Sequence, residues 1–296
     1  MDADVTRYTL QPDKRSGRRK IVSRNFELVA TLAAFSAIAV LAIVVISVLV
    51  KGLPAINLDF FTQNQVTYGQ SGGGIANGLV GTGIMVGLAT AVTLPFGILI
   101  AIYVSEYARR PLARTIGLAL DVLNGVPSIV ISIFCYALLV IGSGYAAWKG
   151  AFALSIVMLP LVARSSIEVL NLVPGSLREA SAGLGVSRWR TTIFVVMPTA
   201  LGGVLTAATL AVARAAGETA PLLFTTSIFL PNQIVTDPSH AMAAVPLLIL
   251  FDSEAPEKSL NDQAWAAAFV LMTLVLVASL TARYLLSRSE RKIKTR

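Results

Sequence analysis

Charge is scarce in this chain. Lys, Arg, Asp and Glu make up 14% of its 296 residues, where soluble domains carry about 25%, and 55% of the residues are hydrophobic. Histidine and cysteine occur once each, as His240 and Cys135. A lone cysteine excludes an intrachain disulfide framework and a thiolate metal cluster, and His240 reads as an ordinary loop residue. No Gly-x-x-x-x-Gly-Lys-Ser/Thr run is present to cradle ATP phosphates, and no Ser/His/Asp set or metal-spaced cluster offers hydrolysis. The chain reads as a non-enzyme with no cofactor or metal of its own.

What is present is apolar sequence in long runs, with a mean hydropathy of +0.73. Runs poor in charge cover residues 28–50, 75–104, 116–141, 151–163, 199–213 continuing to 224, and 264–282. Most reach the roughly 20 residues that a spanning helix needs. The fourth is short, and suffices if residues 146–150 join it and Lys149 snorkels outward. The expected fold is therefore all-α: a polytopic membrane helical bundle of six transmembrane helices. The basic start is long and the first apolar run exceeds a signal h-region, so the first span is expected to be a retained anchor.

Basic residues set the expected orientation. Seven precede the first span (Arg7 to Arg24), three follow the second, four follow the fourth, and six close the chain from Arg283 to Arg296. The opposite side holds only Lys51, Lys149 and Lys258. By the positive-inside rule both termini are cytoplasmic. The net charge of +8 then reflects topology and anionic lipid contact, with nothing left for nucleic acid to explain. The divisions that follow are a basic tail at 1–25, an anchor helix and outer loop at 26–74, the main transmembrane domain at 75–283 and a second basic tail at 284–296. Residues 70–74, Gln-Ser-Gly-Gly-Gly, form the flexible joint before the main domain.

Two charges lie inside an apolar run. Arg214 and Glu218 are four apart, a spacing that puts both on one helical face. Each costs roughly 2.5–3.5 kcal/mol at mid-bilayer on insertion scales, so each must face protein or water. An intramembrane Arg suggests a path for an anion, with Glu218 holding it between passages; an intrahelical pair that merely aids packing is the plainer alternative. Arg164, after Pro160 at the inner end of the fourth span, is either a second anion station or an interface Arg.

Between the fourth and fifth spans the chain reads as two short helices. Ser176 and Glu179 match a capping box, Gly185 suits a left-handed stop, and Ser187 can cap a second helix at 188–197 closed by Pro198. Small residues from Ala180 to Gly183 permit close approach by another surface. In the last outer loop, residues 241–251 are apolar but short and contain Pro246; they read as a re-entrant or interfacial helix, or as a short helix packed on the bundle.

The run from Glu179 to Pro198 resembles the EAA motif of type I ABC import permeases. That motif has Glu-Ala-Ala, three residues, Gly, nine residues, Ile, one residue, then Leu-Pro. Here Glu179, Ala180, Gly185 and Pro198 are in place, while Ser181, Val195 and Met197 replace Ala, Ile and Leu. Gly125-Val-Pro-Ser, Leu159-Pro-Leu-Val-Ala-Arg164 and Gly217-Glu-Thr-Ala-Pro221 narrow the likeness to the PstA-type permeases of phosphate-specific importers, over about 73–282. The resemblance implies a MetI-like fold and an alternating-access permease. It also implies a homologous second permease subunit, two cytoplasmic ATPase subunits that bind ATP and Mg, and an external phosphate-binding protein. The loop from Glu179 to Pro198 then docks on the ATPase. A permease for sulfate or molybdate, a secondary anion transporter and a membrane sensor or scaffold are the rival readings.

Overall fold

The structure, a computed structural model, describes residues 14–66, 72–226 and 233–294. It divides into two compact units, residues 1–50 and 51–296. Helix α1, Lys14–Gly52, accounts for the described part of the first unit. Residues 14–25, expected as part of the basic tail, are helical and run without a break into the apolar stretch. A 39-residue helix is about 58 Å long at 1.5 Å per residue, more than a bilayer needs.

In the second unit a short helix, α2 (Leu58–Thr62), precedes α3 (Ala76–Ile102), which ends in a π turn at Tyr103–Tyr107. Next come α4 (Arg110–Gly125), α5 (Ser128–Cys135) with a π turn at Tyr136–Val140, and α6 (Ala147–Asn171). The loop helices α7 (Gly175–Gly183) and α8 (Arg188–Thr191) follow. A π turn at Thr192–Val196 leads into α9 (Met197–Gly217), and α10 (Ala220–Thr225), α11 (Val245–Ser253) and α12 (Lys258–Lys294) complete the unit. No strand occurs among the described residues.

Among the described residues, five helical segments are long and apolar enough to cross a membrane, and α4 with α5 makes a sixth only as a pair bent by 92°. The expected straight third span is therefore two pieces. Its break falls at Val126-Pro127, where Pro127 has no N–H to continue the helix and its ring disfavours a helical Val126. The expected helix at 188–197 is corrected in the other direction. Pro198 does not close it: the helical path runs from Arg188 to Gly217, and the π turn at Thr192–Val196 just before Pro198 accommodates the missing N–H.

Lipid tails are as apolar as leucine, so helices in a membrane associate through close packing of small side chains. That pattern is present here. Ala89 of α3, Ala147 and Ala151 of α6, and Ala211 and Ala215 of α9 are buried around Met85, Leu154 and Leu222. Gly81 shows how close the approach is: a Cβ there would collide with the Ala243 carbonyl. A second cluster joins Ala101, Leu120, Leu170, Val173 and Val196 near the α7–α8 loop. At the far end of α3, Phe60 and Ile75 pack with Val245 and Leu248.

The segment at 241–251 resolves as a packed helix. Pro246 sits in the first turn of α11 and does not interrupt it. Val245, Leu247 and Leu248 are buried, and the Val245 N–H donates to Thr82 Oγ1 at 2.9 Å. The chain just before α11 closes the start of α6: Ala147 N–H donates to the His240 carbonyl at 2.9 Å and Trp148 N–H to the Pro238 carbonyl at 3.0 Å. Free N–H groups of a helix start are thereby satisfied by backbone rather than by a side-chain cap.

Candidate anion path and docking loop

Arg214 lies in the last turn of α9, and its Nε is 3.2 Å from Glu218 Oε1. The pair forms, but not along one helical face. The helix ends at Gly217, and Glu218 is its extended cap residue at φ −74°, ψ 124°. Pro221 then sits in the first turn of α10, so the chain restarts as a separate helix. The end of α9 suits a cation, since the last carbonyls have no helical partners and carry partial negative charge. Arg214 is 53% exposed and Glu218 17%. Leu210, one turn earlier, is 60% exposed. This face of α9 is free in the single chain, whereas Ala211 and Ala215 face the core.

Arg164 is more heavily paired. Its Nε lies 3.3 Å from Asp121 Oδ1 on α4 and 3.5 Å from Glu168 Oε1 one turn along α6. Arg164 and Arg214 have separate partners.

In the loop, Gly185 has φ +73°, the left-handed stop that its glycine suggests. The Val186 N–H donates to the Ser181 carbonyl at 3.1 Å and the Gly185 N–H to the Ala182 carbonyl at 2.9 Å, the paired bonds of a Schellman cap. The capping box is not formed. The helix begins two residues early, at Gly175 after Pro174, so Ser176 lies inside it and no side chain caps the start. Ser187 likewise occupies the cap position of α8 without a side-chain bond. Glu179, Ala180, Ala182 and Gly183 are exposed, while Ser181 is turned inward to bond Thr191 Oγ1 at 2.7 Å. Leu184 is 82% exposed beside them.

Sequence reasoning missed three groups. Glu106, 5% exposed, accepts from the Arg178 guanidinium at 2.7 Å; the available signal was an acid ending the second apolar run. Lys149 does not snorkel: it is buried, and its ammonium donates to Ser143 Oγ at 2.8 Å and to the Gly144 carbonyl at 2.5 Å. Asp252, at the end of α11, accepts from Gln65 Nε2 at 2.6 Å. Burial pushes its carboxyl up to about 6, against the smaller downward pull of that bond. No cluster of metal-ligand side chains occurs among the described residues.

The family described as "binding-protein-dependent transport system inner membrane component" matches residues 93–292. The phosphate transport system permease protein PstA of Pasteurella multocida is 37% identical over 268 residues, covering 90% of this chain and 94% of that one. PstA 1 of Mycobacterium tuberculosis is 37% identical over 228 residues, covering 75% and 73%. The chain belongs to this family, among its PstA-type permeases. The fold agrees at much lower identity. A bacterial alginate ABC transporter, solved with an alginate-bound periplasmic protein, superposes with a TM-score of 0.63 at 14% identity, over 91% of this chain and 96% of that one. An inward-facing MetNI methionine transporter chain gives 0.56 at 17%, over 73% and 94%. As a transport permease of the MetI-like fold, the chain is a membrane subunit and not itself an enzyme.

Proposed function

We propose that this chain is the permease subunit through which an ATP-driven importer moves inorganic phosphate across the inner membrane by alternating access. The observation that carries the mechanism is Arg214, placed on a free face of α9 where the fifth span breaks. A half-exposed guanidinium there is costly against lipid and favourable against a passing anion. The free face is completed by a homologous second permease, so that the path runs between the two subunits. Glu218 holds Arg214 between passages, which keeps the site neutral at rest and the anion weakly held, as transport requires. Arg164 serves as a second station only if it leaves Asp121 and Glu168.

Both termini and the α7–α8 loop face the cytoplasm in this reading. The exposed small face of α7, from Glu179 to Gly183 and ended by Gly185, docks on an ATPase subunit, two of which supply ATP and Mg. An external phosphate-binding protein delivers the anion at the opposite end, where α2 and α11 pack against the start of α3. Support for phosphate as the cargo comes from the PstA relatives.

The test is uptake of radiolabelled phosphate, sulfate and molybdate by cells whose own phosphate importer is deleted, with and without this gene. Phosphate uptake that is restored by the wild type and lost in Arg214→Gln, at equal membrane insertion, supports the reading. Uptake of sulfate or molybdate alone assigns another oxyanion. Phosphate uptake that persists without any ATPase co-purifying points to a secondary transporter.

A further inference from the structure

Helix α7 lies outside the apolar bundle, and Ser181 is its one buried residue among the described positions. A docking element must nevertheless pass its movement to the spans. One route follows the chain: the Ser181–Thr191 hydrogen bond holds α7 to α8, and the backbone of α8 continues into the fifth span. A second route converges on the π turn at the end of α3.

Arg178, in the middle of α7, reaches out of its helix into that turn. Its Nη2 and Nε lie 2.7 and 3.1 Å from Glu106 Oε1. The same guanidinium donates to the Val173 carbonyl at 2.7 Å and the Leu170 carbonyl at 3.0 Å, at the end of α6. One planar group thus joins three elements with most of its donors used, a geometry that lysine cannot reproduce. The neighbouring turn residue repeats the link. The Arg188 guanidinium of α8 sits 5.3 Å from the Tyr107 ring centroid, within cation–π range. The turn is itself tied to α6 by Ser105 Oγ, 3.2 Å from Asn171 Oδ1.

We propose that the Tyr103–Tyr107 turn is the receiver through which the docking loop drives the second span, with Glu106 and Arg178 as the principal joint and Tyr107 and Arg188 as a lesser one. This rests on the reading of α7 as the ATPase-docking helix. A π turn is a wide turn with one carbonyl fewer in the helical ladder, and such turns recur at functional positions. Here it aims two consecutive side chains, Glu106 and Tyr107, at the two helices of the loop. The joint is stiff because the carboxylate is buried and held by charge-assisted bonds. Helix α3 packs along α6, and both meet the core side of α9 at Ala211 and Ala215, so a pull on the end of α3 is passed to the helix whose opposite, free face carries Arg214. These are positioning residues; none touches the anion.

The experiment uses the complete transporter, reconstituted in proteoliposomes with its ATPase and binding protein. Three quantities are measured: ATPase retained on the purified membrane subunits, ATP hydrolysis, and phosphate imported per ATP hydrolysed. Glu106→Gln leaves the exposed docking face intact, so the ATPase stays bound and hydrolysis continues. Phosphate per ATP is expected to fall about three- to tenfold, the range that positions along a coupling route command. Arg178→Met should do the same, and the double variant should be no worse than either, since the pair acts as one unit. Tyr107→Leu changes a half-exposed ring that folding tolerates, and should lower the ratio about two- to threefold.

An assembled Glu106→Gln complex with wild-type phosphate per ATP overturns the proposal. Where Glu106→Gln does not assemble, Tyr107→Leu decides, and an unchanged ratio overturns it. A wild-type membrane complex that retains no ATPase refutes the docking reading instead, a failure seen before any variant is made.

Discussion

At the scale of single residues, charge was the legible part and its local backbone was not. The four-residue spacing of Arg214 and Glu218 predicts their contact, and the contact is present at 3.2 Å. The break between them escapes a periodicity argument, because Gly217 and Thr219 are tolerated in a helix and Pro221 only marks that something ends nearby. Lys149 escaped for a related reason: the turn carbonyl that receives it is backbone, which composition does not reveal. The Arg214 pair yields the sharpest single-residue prediction. Changing both Arg214 and Glu218 to Gln removes the charge while keeping similar volume. Phosphate uptake by that double variant should stay near zero if the guanidinium serves the anion. A return to wild-type uptake would show that the pair only neutralises itself.

Elements came through the sequence where they were long and apolar, and failed where proline or a short helix decided the outcome. Pro127 bends the third span, whereas Pro198 follows a π turn that absorbs its missing N–H and Pro246 lies in a first turn where no N–H is needed. The Gly185 stop was legible because only a left-handed residue closes a Schellman cap. Gly185→Asp should therefore strain α7 by about 1 kcal/mol and crowd its docking face. Co-purification of the ATPase should drop while membrane insertion is unchanged, and full retention with normal uptake would remove this loop from the coupling route.

Helix α11 gives a prediction in pH. Asp252 ionises near pH 6 in the folded chain and about two units lower when unfolded. The folded state thus holds an extra proton between about pH 4 and 6. Its stability contribution is full below that window and is lost as pH rises through 6. Asp252→Asn should raise the melting temperature at pH 8 and leave it nearly unchanged at pH 4. Equal shifts at both values would mean that the carboxyl is not buried in solution.

For the molecule as a whole, hydropathy carried the fold class, because a membrane demands long apolar helices from the sequence directly. The contact of Arg178 with Glu106 was beyond reach, since the two are 72 positions apart and meet only when α3, α6 and α7 assemble. The orientation is tested by single cysteines in a Cys135→Ala background. Ser239→Cys, in the outer loop, should react with an impermeant maleimide on intact cells, and Ser187→Cys only after permeabilisation. External reaction at position 187 would invert the topology and with it the docking role. Residue 71, the matching probe of the first outer loop, lies outside the described residues.

The 92° bend between α4 and α5 also bears on how the protein is made. Neither half is long enough to cross the bilayer, and α4 carries Arg114, Asp121 and Asn124. A translocon that releases one hydrophobic helix at a time has nothing straight to release here. The two halves must wait at the interface until α6 arrives, bringing Arg164 to Asp121 and Ala153 to Ile131 and Cys135. Nascent chains stopped before α6 should therefore leave Cys135 open to reagent, and chains extended past it should protect that residue, which Ala153 helps to bury in the complete chain. The third span is inserted by its neighbour, and biogenesis of this half of the bundle is a two-helix event.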